Sequence, residues 1–234
     1  MFNIFINLNS DQDKDKYHHV DFKLKEVKPK EVLQHKCLSS YRFIKELGQG
    51  AFGKTYLVEK NKKEYAIKEI TTKNMFIAKK EMIHKNKKEI QTAIKMGKLN
   101  IGPKIYDSYI CNDKGEVKMF LIMEHMTEGS LLKWMESNVL TSDHKQQIQM
   151  KIKKMHSLNY YHADTHVENI FVTKNKNKIE FYIGDFGQSY AGLNDIKHIL
   201  SNNDMNMLQN SLRYNMNQKY NELISKLFIV WNLV

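Results

Sequence analysis

The sequence has few of the residues that staple, kink or anchor a chain. Among 234 residues there are two cysteines, Cys37 and Cys111, and two prolines, Pro29 and Pro103. Two cysteines cannot build a disulfide framework, which excludes the small stapled scaffolds of secreted proteins and suits a reducing compartment, where each is a small apolar filler. Long apolar runs are missing as well: Leu227 to Val234 is far too short to span a bilayer. Met1 to Ser10 has neither the basic stretch nor the small-residue cleavage site of a secretory signal. The expectation is a cytoplasmic or nuclear chain without a transmembrane segment. Arginine is scarce too, with only Arg42 and Arg213.

Hydrophobic residues make up 41% and charged ones 27%, which places the chain among ordinary globular proteins and outside the disordered and multi-span classes. The net charge of +11 is carried almost wholly by lysine. Base-reading surfaces lean on arginine's planar fork, whereas scattered lysines mostly solvate helices and turns. No basic motif interleaved with aromatics is present, so nucleic acid is not expected as the primary ligand. The charge instead biases partners toward acidic proteins or surfaces.

The pattern changes near residue 41. Residues 1–40 mix charges such as Asp11, Asp13, Lys14, Asp15 and Lys16 with short apolar stretches and read as an N-terminal extension. From Tyr41 the alternation predicts strands over 41–47, 54–59 and 64–70, with a glycine-rich break between the first two and the turn Lys60-Asn61-Lys62-Lys63 before the third. Residues 77–96 carry a helical stripe of Ile83, Ile90, Ala93 and Ile94. Strands at 104–110 and 117–123 flank the turn Asn112-Asp113-Lys114-Gly115. Beyond residue 124 the chain turns mainly helical, starting from an N-cap at Thr141 or Ser142 with the stripe Ile148, Ile152, Met155. A strand pair, 170–173 and 179–183, interrupts it. Tyr220, Leu223, Ile224, Leu227, Phe228 and Trp231 mark a last helix that packs on a core.

Four segments carry chemistry. Gly48-Gln49-Gly50-Ala51-Phe52-Gly53 joins two strands. A dinucleotide site wants its glycines between a strand and a helix, so here the backbone amides would close over phosphates as a flap. Lys68 ends the apolar run Ala66-Ile67, and Glu89 lies on the seam side of the following helix beside Ile90. A lysine paired to a helix carboxylate can hold its ammonium on phosphates, which a floppy one does poorly. Lys87 and Lys88 are expected to be solvated. His162-Ala163-Asp164-Thr165-His166 with Asn169 is the third segment, and Asp185-Phe186-Gly187 the fourth. His162, Asp164 and His166 alternate and point apart, with no Cys or further His nearby to complete a zinc set. His162 is read as packing in the core of its loop.

In that order and spacing, the segment from Tyr41 to about Gly187 resembles the eukaryotic-type protein kinase catalytic domain. The resemblance implies an α+β, bilobal fold: a small antiparallel five-stranded lobe with one helix, then a truncated, mainly helical large lobe. It divides the chain into the extension 1–40, a small lobe 41–123, a hinge 124–126 and a large lobe 127–234. It implies ATP and Mg²⁺ as cofactors. Gly48, Gln49, Gly50 and Gly53 would cover the phosphates, Lys68 braced by Glu89 would hold them, and Thr55 and Ala66 would border the base, with Met123 at the back. Glu124 and Met126 would bond adenine through their backbones. Asp164 would take the acceptor proton with His166 near the γ-phosphate, and Asn169 and Asp185 would hold the metal.

Several positions depart from the family pattern. Thr55 stands where valine is usual, and Ala163 replaces the arginine that in many members pairs with a phosphorylated activation loop. His166 replaces a lysine, and His-x-Asp-x-His-x-x-Asn is closer to the motif of aminoglycoside, choline and lipopolysaccharide-sugar kinases. The stretch after Gly187 has no proline and no Ala-Pro-Glu, and reads as too short for a full activation segment plus the usual further helices. Asp195 is expected to anchor the catalytic loop by bonding amides near His162. The reading is a monomeric serine/threonine-protein kinase acting on a protein substrate without activation-loop control. A small-molecule kinase and a binding module without activity remain the alternatives.

Overall fold

The structure, a computed structural model, describes residues 23–27, 38, 40–50, 53–71, 79–113, 116–192 and 197–231. Ala51, Phe52, Asp195 and most of the N-terminal extension lie outside the described residues. Two compact units divide the chain, Met1–Ile94 with Lys104–His125, and Lys95–Pro103 with Met126–Val234.

The first unit is a sheet with one helix. Its elements are β1 (Lys23–Val27), β2 (Arg42–Gly50), β3 (Gly53–Lys60), β4 (Lys63–Thr71), α1 (Lys79–Lys98), β5 (Ile105–Asp113) and β6 (Glu116–Glu124). The strand order is β1-β5-β6-β4-β3-β2. The five expected strands pair antiparallel, and β3 and β4 are joined by a tight turn in which Asn61 and Lys62 are left-handed. A sixth strand is added: β1 runs parallel to β5, from Lys23 opposite Tyr109 to Val27 opposite Asp113. It comes from what the sequence presents as an extension. A parallel partner needs a long connection and leaves no hairpin signal, and Lys-Leu-Lys-Glu-Val is short and charged, as edge strands are. Leu38 also belongs to this unit, buried with Val58, Ile67, Tyr109, Phe120 and Ile122.

The face of α1 that packs inward includes Asn86, Lys87, Glu89, Ile90 and Ala93. Lys87 is therefore not solvated: it is 7% exposed, and burial pushes its pKa down. Three residues before Ile90 on the helix, it falls on the flank of the same stripe. Lys88 is exposed, as expected.

The second unit begins with the last turn of α1. The N–H groups of Ile101 and Gly102 return to Met96 O, and Lys154 Nζ donates to Leu99 O at 2.6 Å, beside Lys151 on Asn100 O. Cations here satisfy carbonyls at a helix C-terminus and oppose its dipole. There follow β7 (Gly129–Ser130), α2 (Leu131–Met135), α3 (Ser142–Ser157), β8 (Tyr160–Tyr161), β9 (Ile170–Asn175), β10 (Lys178–Ile183), β11 (Tyr190–Ala191) and α4 (Lys197–Trp231). Thr141 caps α3 in a reciprocal box with His144, and Ile148, Ile152 and Met155 are buried as the stripe predicts. β9 and β10 form a hairpin from Ile170 opposite Ile183 to Asn175 opposite Lys178. The last helix marked in the sequence from Tyr220 to Trp231 is the end of one long helix, α4, that starts at Lys197. It packs against α3 and β8, with Asp204, Leu208 and Leu212 buried at i, i+4 and i+8.

Candidate active site

In the first unit, β2 and β3 form one hairpin through the glycines, with Gly48 opposite Thr55, Gln49 opposite Lys54 and Gly50 opposite Gly53. The three glycines differ. At Gly53, φ is +152°, and a Cβ would lie 1.7 Å from Glu69 O on the neighbouring strand. No side chain fits there, so Gly53 is a requirement of the fold. A Cβ at Gly48 or Gly50 would meet nothing within 4 Å. Packing among the described residues does not explain those two.

Lys68 is the cross-strand partner of Thr55 on β3 and of Leu121 on β6. Its Nζ lies 2.7 Å from Glu89 Oε1 on α1, with the side chains 15% and 7% exposed. The next residue, Glu69, points to the opposite face by strand alternation. There it pairs with Lys118 at 2.8 Å and accepts from Tyr56 OH at 3.3 Å. Burial and the Glu69 charge push the Tyr56 hydroxyl up to about 12. Ala66, buried, stands opposite Met123, and Tyr65 opposite Glu124. The Glu124 N–H donates to Lys104 O at 2.8 Å, while Glu64 pairs with His125 at 3.0 Å.

In the second unit, Met126 is buried and its carbonyl accepts from Gly129 N–H at 3.0 Å. The loop after β8 gathers the third segment. Asn169 Nδ2 donates to both the backbone O and Oδ2 of Asp164, at 2.9 and 3.0 Å. Both partners are acceptors, which fixes the amide nitrogen on this side and turns Oδ1 away from Asp164. His166 Nε2 lies 3.5 Å from Asp164 Oδ1 and 3.1 Å from Asn169 Nδ2, while Nδ1 accepts from Glu168 N–H at 3.3 Å. The Gly184 N–H donates to Asn169 O at 2.8 Å, extending the β9–β10 ladder by one step and setting Asn169 beside the segment that carries Asp185. Asp185 is left-handed at φ 59°, and opens a short 3₁₀ turn, Phe186–Gln188. A Cβ at Gly184 would lie 2.4 Å from the Phe171 ring.

The loop is held from behind by Asp204 of α4. Its carboxylate accepts from His162 N–H at 2.9 Å, Ala163 N–H at 2.7 Å, Thr165 Oγ1 at 3.1 Å and the His156 ring at 2.8 Å. Burial acts to raise this carboxyl, but His156 and the two backbone donors outweigh it, and the pKa lies below the ordinary carboxylate value. The bonds hold Ala163 at a left-handed φ of 61°, a conformation an alanine rarely adopts unaided. Asp204 thus anchors the loop; Asp195, where the sequence places an anchor, lies outside the described residues. The signal in the sequence was one acid in the stripe with Leu208 and Leu212. Its partners are about forty residues away in the chain, beyond the reach of periodicity.

His162 is buried, as expected. Its Nε2–H donates to Gly184 O at 2.8 Å, its ring packs on Phe186 at 5.3 Å, and Nδ1 has no partner among the described residues. Burial lowers its pKa. Among the described residues no cluster of three or more His, Cys, Asp or Glu side chains is arranged to hold a metal ion, which leaves the zinc reading without support.

A glycine-rich hairpin, a buried lysine–carboxylate pair and an aspartate loop anchored from a helix are the parts that the protein kinase class combines. The protein kinase domain profile matches residues 41–217, and the chain belongs to that family. It is 34% identical over 159 residues to human serine/threonine-protein kinase Nek5, covering 64% of this chain and 21% of that protein. It is 29% identical over 180 residues to a probable serine/threonine-protein kinase of Dictyostelium discoideum, covering 70% and 25%. Aurora kinase of Eremothecium gossypii is 28% identical over 168 residues, covering 69% and 43%. The chain spans between about a fifth and two fifths of the length of these relatives.

Proposed function

We propose that the chain is a Mg·ATP-dependent protein kinase that transfers the γ-phosphoryl group to a serine or threonine hydroxyl of a protein substrate. In this reading residues 41–123 are the small lobe, 124–126 the hinge and 127–234 the large lobe. The observation that carries it is the Lys68–Glu89 pair, 2.7 Å apart and largely withdrawn from water. A buried ion pair is costly to build and adds little stability over apolar packing, so its presence is better accounted for by a ligand that needs a fixed ammonium.

The residues fit the groups they would hold. Asn169 has its amide nitrogen committed to Asp164 and its carbonyl oxygen turned away, and Asp185 follows Gly184, the residue bonded to the Asn169 backbone. Two hard oxygen donors suit Mg²⁺, which takes one or two protein ligands and fills its octahedron with phosphate oxygens and water. When bound, the ion neutralises charge on the phosphates and on the leaving oxygen. Lys68 holds the α- and β-phosphates, and the amides around Gly48 and Gly50 close on them. The acceptor hydroxyl oxygen attacks the γ-phosphorus, the bond to the bridging oxygen of ADP breaks, and the hydroxyl proton passes to Asp164. Asn169 fixes the Asp164 carboxylate, and His166 adds a donor near the transferring group.

Activity without activation-loop phosphorylation is part of the proposal. Ala163 has no cation to offer a phosphate, and α4 begins ten positions after Gly187 with its Asp204 already bonded to the catalytic loop. The test is transfer of labelled γ-phosphate to a generic protein substrate by the purified chain, with and without prior phosphatase treatment, beside Asp164→Asn and Asp185→Asn. Transfer unaffected by phosphatase and lost in both variants is expected. Equal transfer by wild type and variants overturns it.

His166, 3.5 Å from Asp164, favours one second reading, a kinase of sugars, aminoglycosides or choline-like acceptors. ATP consumption stimulated by such a compound, without protein phosphorylation, would establish it.

A further inference from the structure

The first unit carries a row of three tyrosine rings packed edge to face, Tyr41 on Tyr65 at 5.9 Å and Tyr65 on Tyr106 at 5.2 Å, both at 88°. Tyr41 and Tyr65 rest on the core cluster around Leu38. Tyr106 is the extra residue where the β5–β6 register shifts between Ile105 and Asp107, and such a bulge re-aims its side chain. Ammonium groups stand over both ends of the row: Lys60 Nζ is 4.7 Å from the Tyr41 ring centre, and Lys63 and Lys104 Nζ are 4.6 and 5.3 Å from that of Tyr106. Lys63 also donates to Tyr106 OH at 3.3 Å. The neighbouring acids have other partners: Glu59 has Arg42, Glu64 has His125, Glu124 accepts from the Lys104 N–H, and Asp107 accepts from Tyr109 OH and the Ser108 N–H. Among the described residues none of the three lysines is paired with a carboxylate.

We infer that this row is a docking surface for the chain's own N-terminal segment, with Asp11, Asp13 and Asp15 set against Lys60, Lys63 and Lys104. Two observations select that segment. The first is where the chain leaves the sheet. β1 runs parallel to β5 with Lys23 opposite Tyr109, so the residues before Lys23 depart toward the end of β5 that holds Tyr106, three positions and about 10 Å away. Asp15 precedes Lys23 by eight residues and Asp11 by twelve, which reach at most about 28 and 42 Å when extended, so the acidic run can lie along the row. The second is the pattern of charge. Side chains of an extended segment alternate between faces, which sets Asp11, Asp13 and Asp15 on one face at intervals of about 6.8 Å and Gln12, Lys14 and Lys16 on the other. No other stretch of the sequence places three acids at alternate positions. Three carboxylates thus meet three ammonium groups, and the segment's own lysines turn to water. The docking does not depend on the phosphotransfer reading.

Carbodiimide cross-linking of the full chain with peptide mapping tests it, because the reagent joins a carboxylate only to an amine already beside it. Links from Asp11, Asp13 or Asp15 should fall on Lys60, Lys63 and Lys104 in preference to Lys45, an exposed lysine of β2 at the opposite edge of the sheet from β1. They should drop at least about fivefold between low and about 0.5 M salt, as contacts between exposed charges do. In an equal mixture of ¹⁵N-labelled and unlabelled chains, each linked pair should come from one chain. A second measurement uses a synthetic peptide of residues 8–18. It should bind the full-length variant with Asp11→Asn, Asp13→Asn and Asp15→Asn at least about threefold more tightly than wild type, in which the tethered segment competes at an effective concentration in the millimolar range. Adding Lys63→Gln and Lys104→Gln to that variant, both at exposed positions, should abolish the gain, and adding Lys45→Gln should not. Links scattered over lysines irrespective of salt overturn the inference, and links between two chains overturn it in favour of a second copy. Equal peptide binding by variant and wild type overturns it too, and leaves the row to another acidic chain.

Discussion

Lys68 Nζ stands 2.7 Å from Glu89 Oε1, joining the strand that borders the glycine hairpin to the helix after it. The pair is 15% and 7% exposed, between the solvated pairs that are worth almost nothing and the fully buried ones whose rupture is severe. Lys68→Met and Glu89→Gln are each expected to lower stability by about 1–3 kcal/mol. Phosphoryl transfer should fall further than that loss explains, on the order of a hundredfold, because a displaced ammonium no longer meets the phosphates. Urea unfolding beside steady-state kinetics separates the two effects. Full activity in Glu89→Gln would remove the pair from the mechanism.

The glycines should divide by role. Gly53→Ala places a Cβ 1.7 Å from Glu69 O at φ +152°, and should cost several degrees of melting temperature or prevent folding. Gly48→Ala and Gly50→Ala meet open space and should melt like wild type while weakening ATP binding. Thermal unfolding with and without Mg·ATP reads both. A stable Gly53→Ala variant would contradict the close approach.

Asp204→Asn tests the anchor. It removes the charge from hydrogen bonds to His162, Ala163 and Thr165, and should cost about 2–4 kcal/mol near neutral pH. The native carboxyl lies below its ordinary pKa, so as pH falls the unfolded chain takes up the proton first. The stabilisation is complete above about pH 5 and is lost as pH drops through the native value, so wild type and variant should converge in acid. Urea midpoints across that range measure it. Parallel curves would mean the charge is not what holds the loop.

His162 makes acid unfavourable at higher pH. Its pKa is lowered by burial, so below about 6.5 the unfolded chain binds a proton that the native chain does not, and stability rises with pH in that window. A proton on Nδ1 would be a donor with no partner among the described residues. The slope should reach at most about 0.7 kcal/mol per pH unit at 6.5 and steepen toward, but not beyond, about 1.4 at lower pH. It should be absent in His162→Gln. Urea midpoints at pH 5.5 and 7.5 decide it, and an equal difference in both proteins would place the proton elsewhere.

The strands from Arg42 to Glu124, α1, α3 and the β9–β10 hairpin could be read directly, because alternation, helical stripes and turn residues are local properties. So could the pairing of Lys68 with Glu89, since a single helix follows the strand and only one of its carboxylates lies beside Ile90. Lys87 was misplaced because a flank position of the same stripe was counted as solvent. β1 escaped notice because a short charged strand in a parallel edge pairing has no local mark.

By itself the sequence determined which chemistry the chain carries: glycines, lysine, aspartates and asparagine in an order whose spacing follows from strands, helices and turns. What only the tertiary structure decided is what holds and what surrounds those residues. Asp204 grips the loop after β8, because α4 packs that carboxylate against backbone donors about forty residues earlier in the chain. The same packing turns Leu208 and Leu212 inward and leaves Leu200, Asn203, Met207 and Asn210 lining an open cavity. A periodic pattern says that a helix has faces, but which face meets the core is set by long-range contacts that no local window contains.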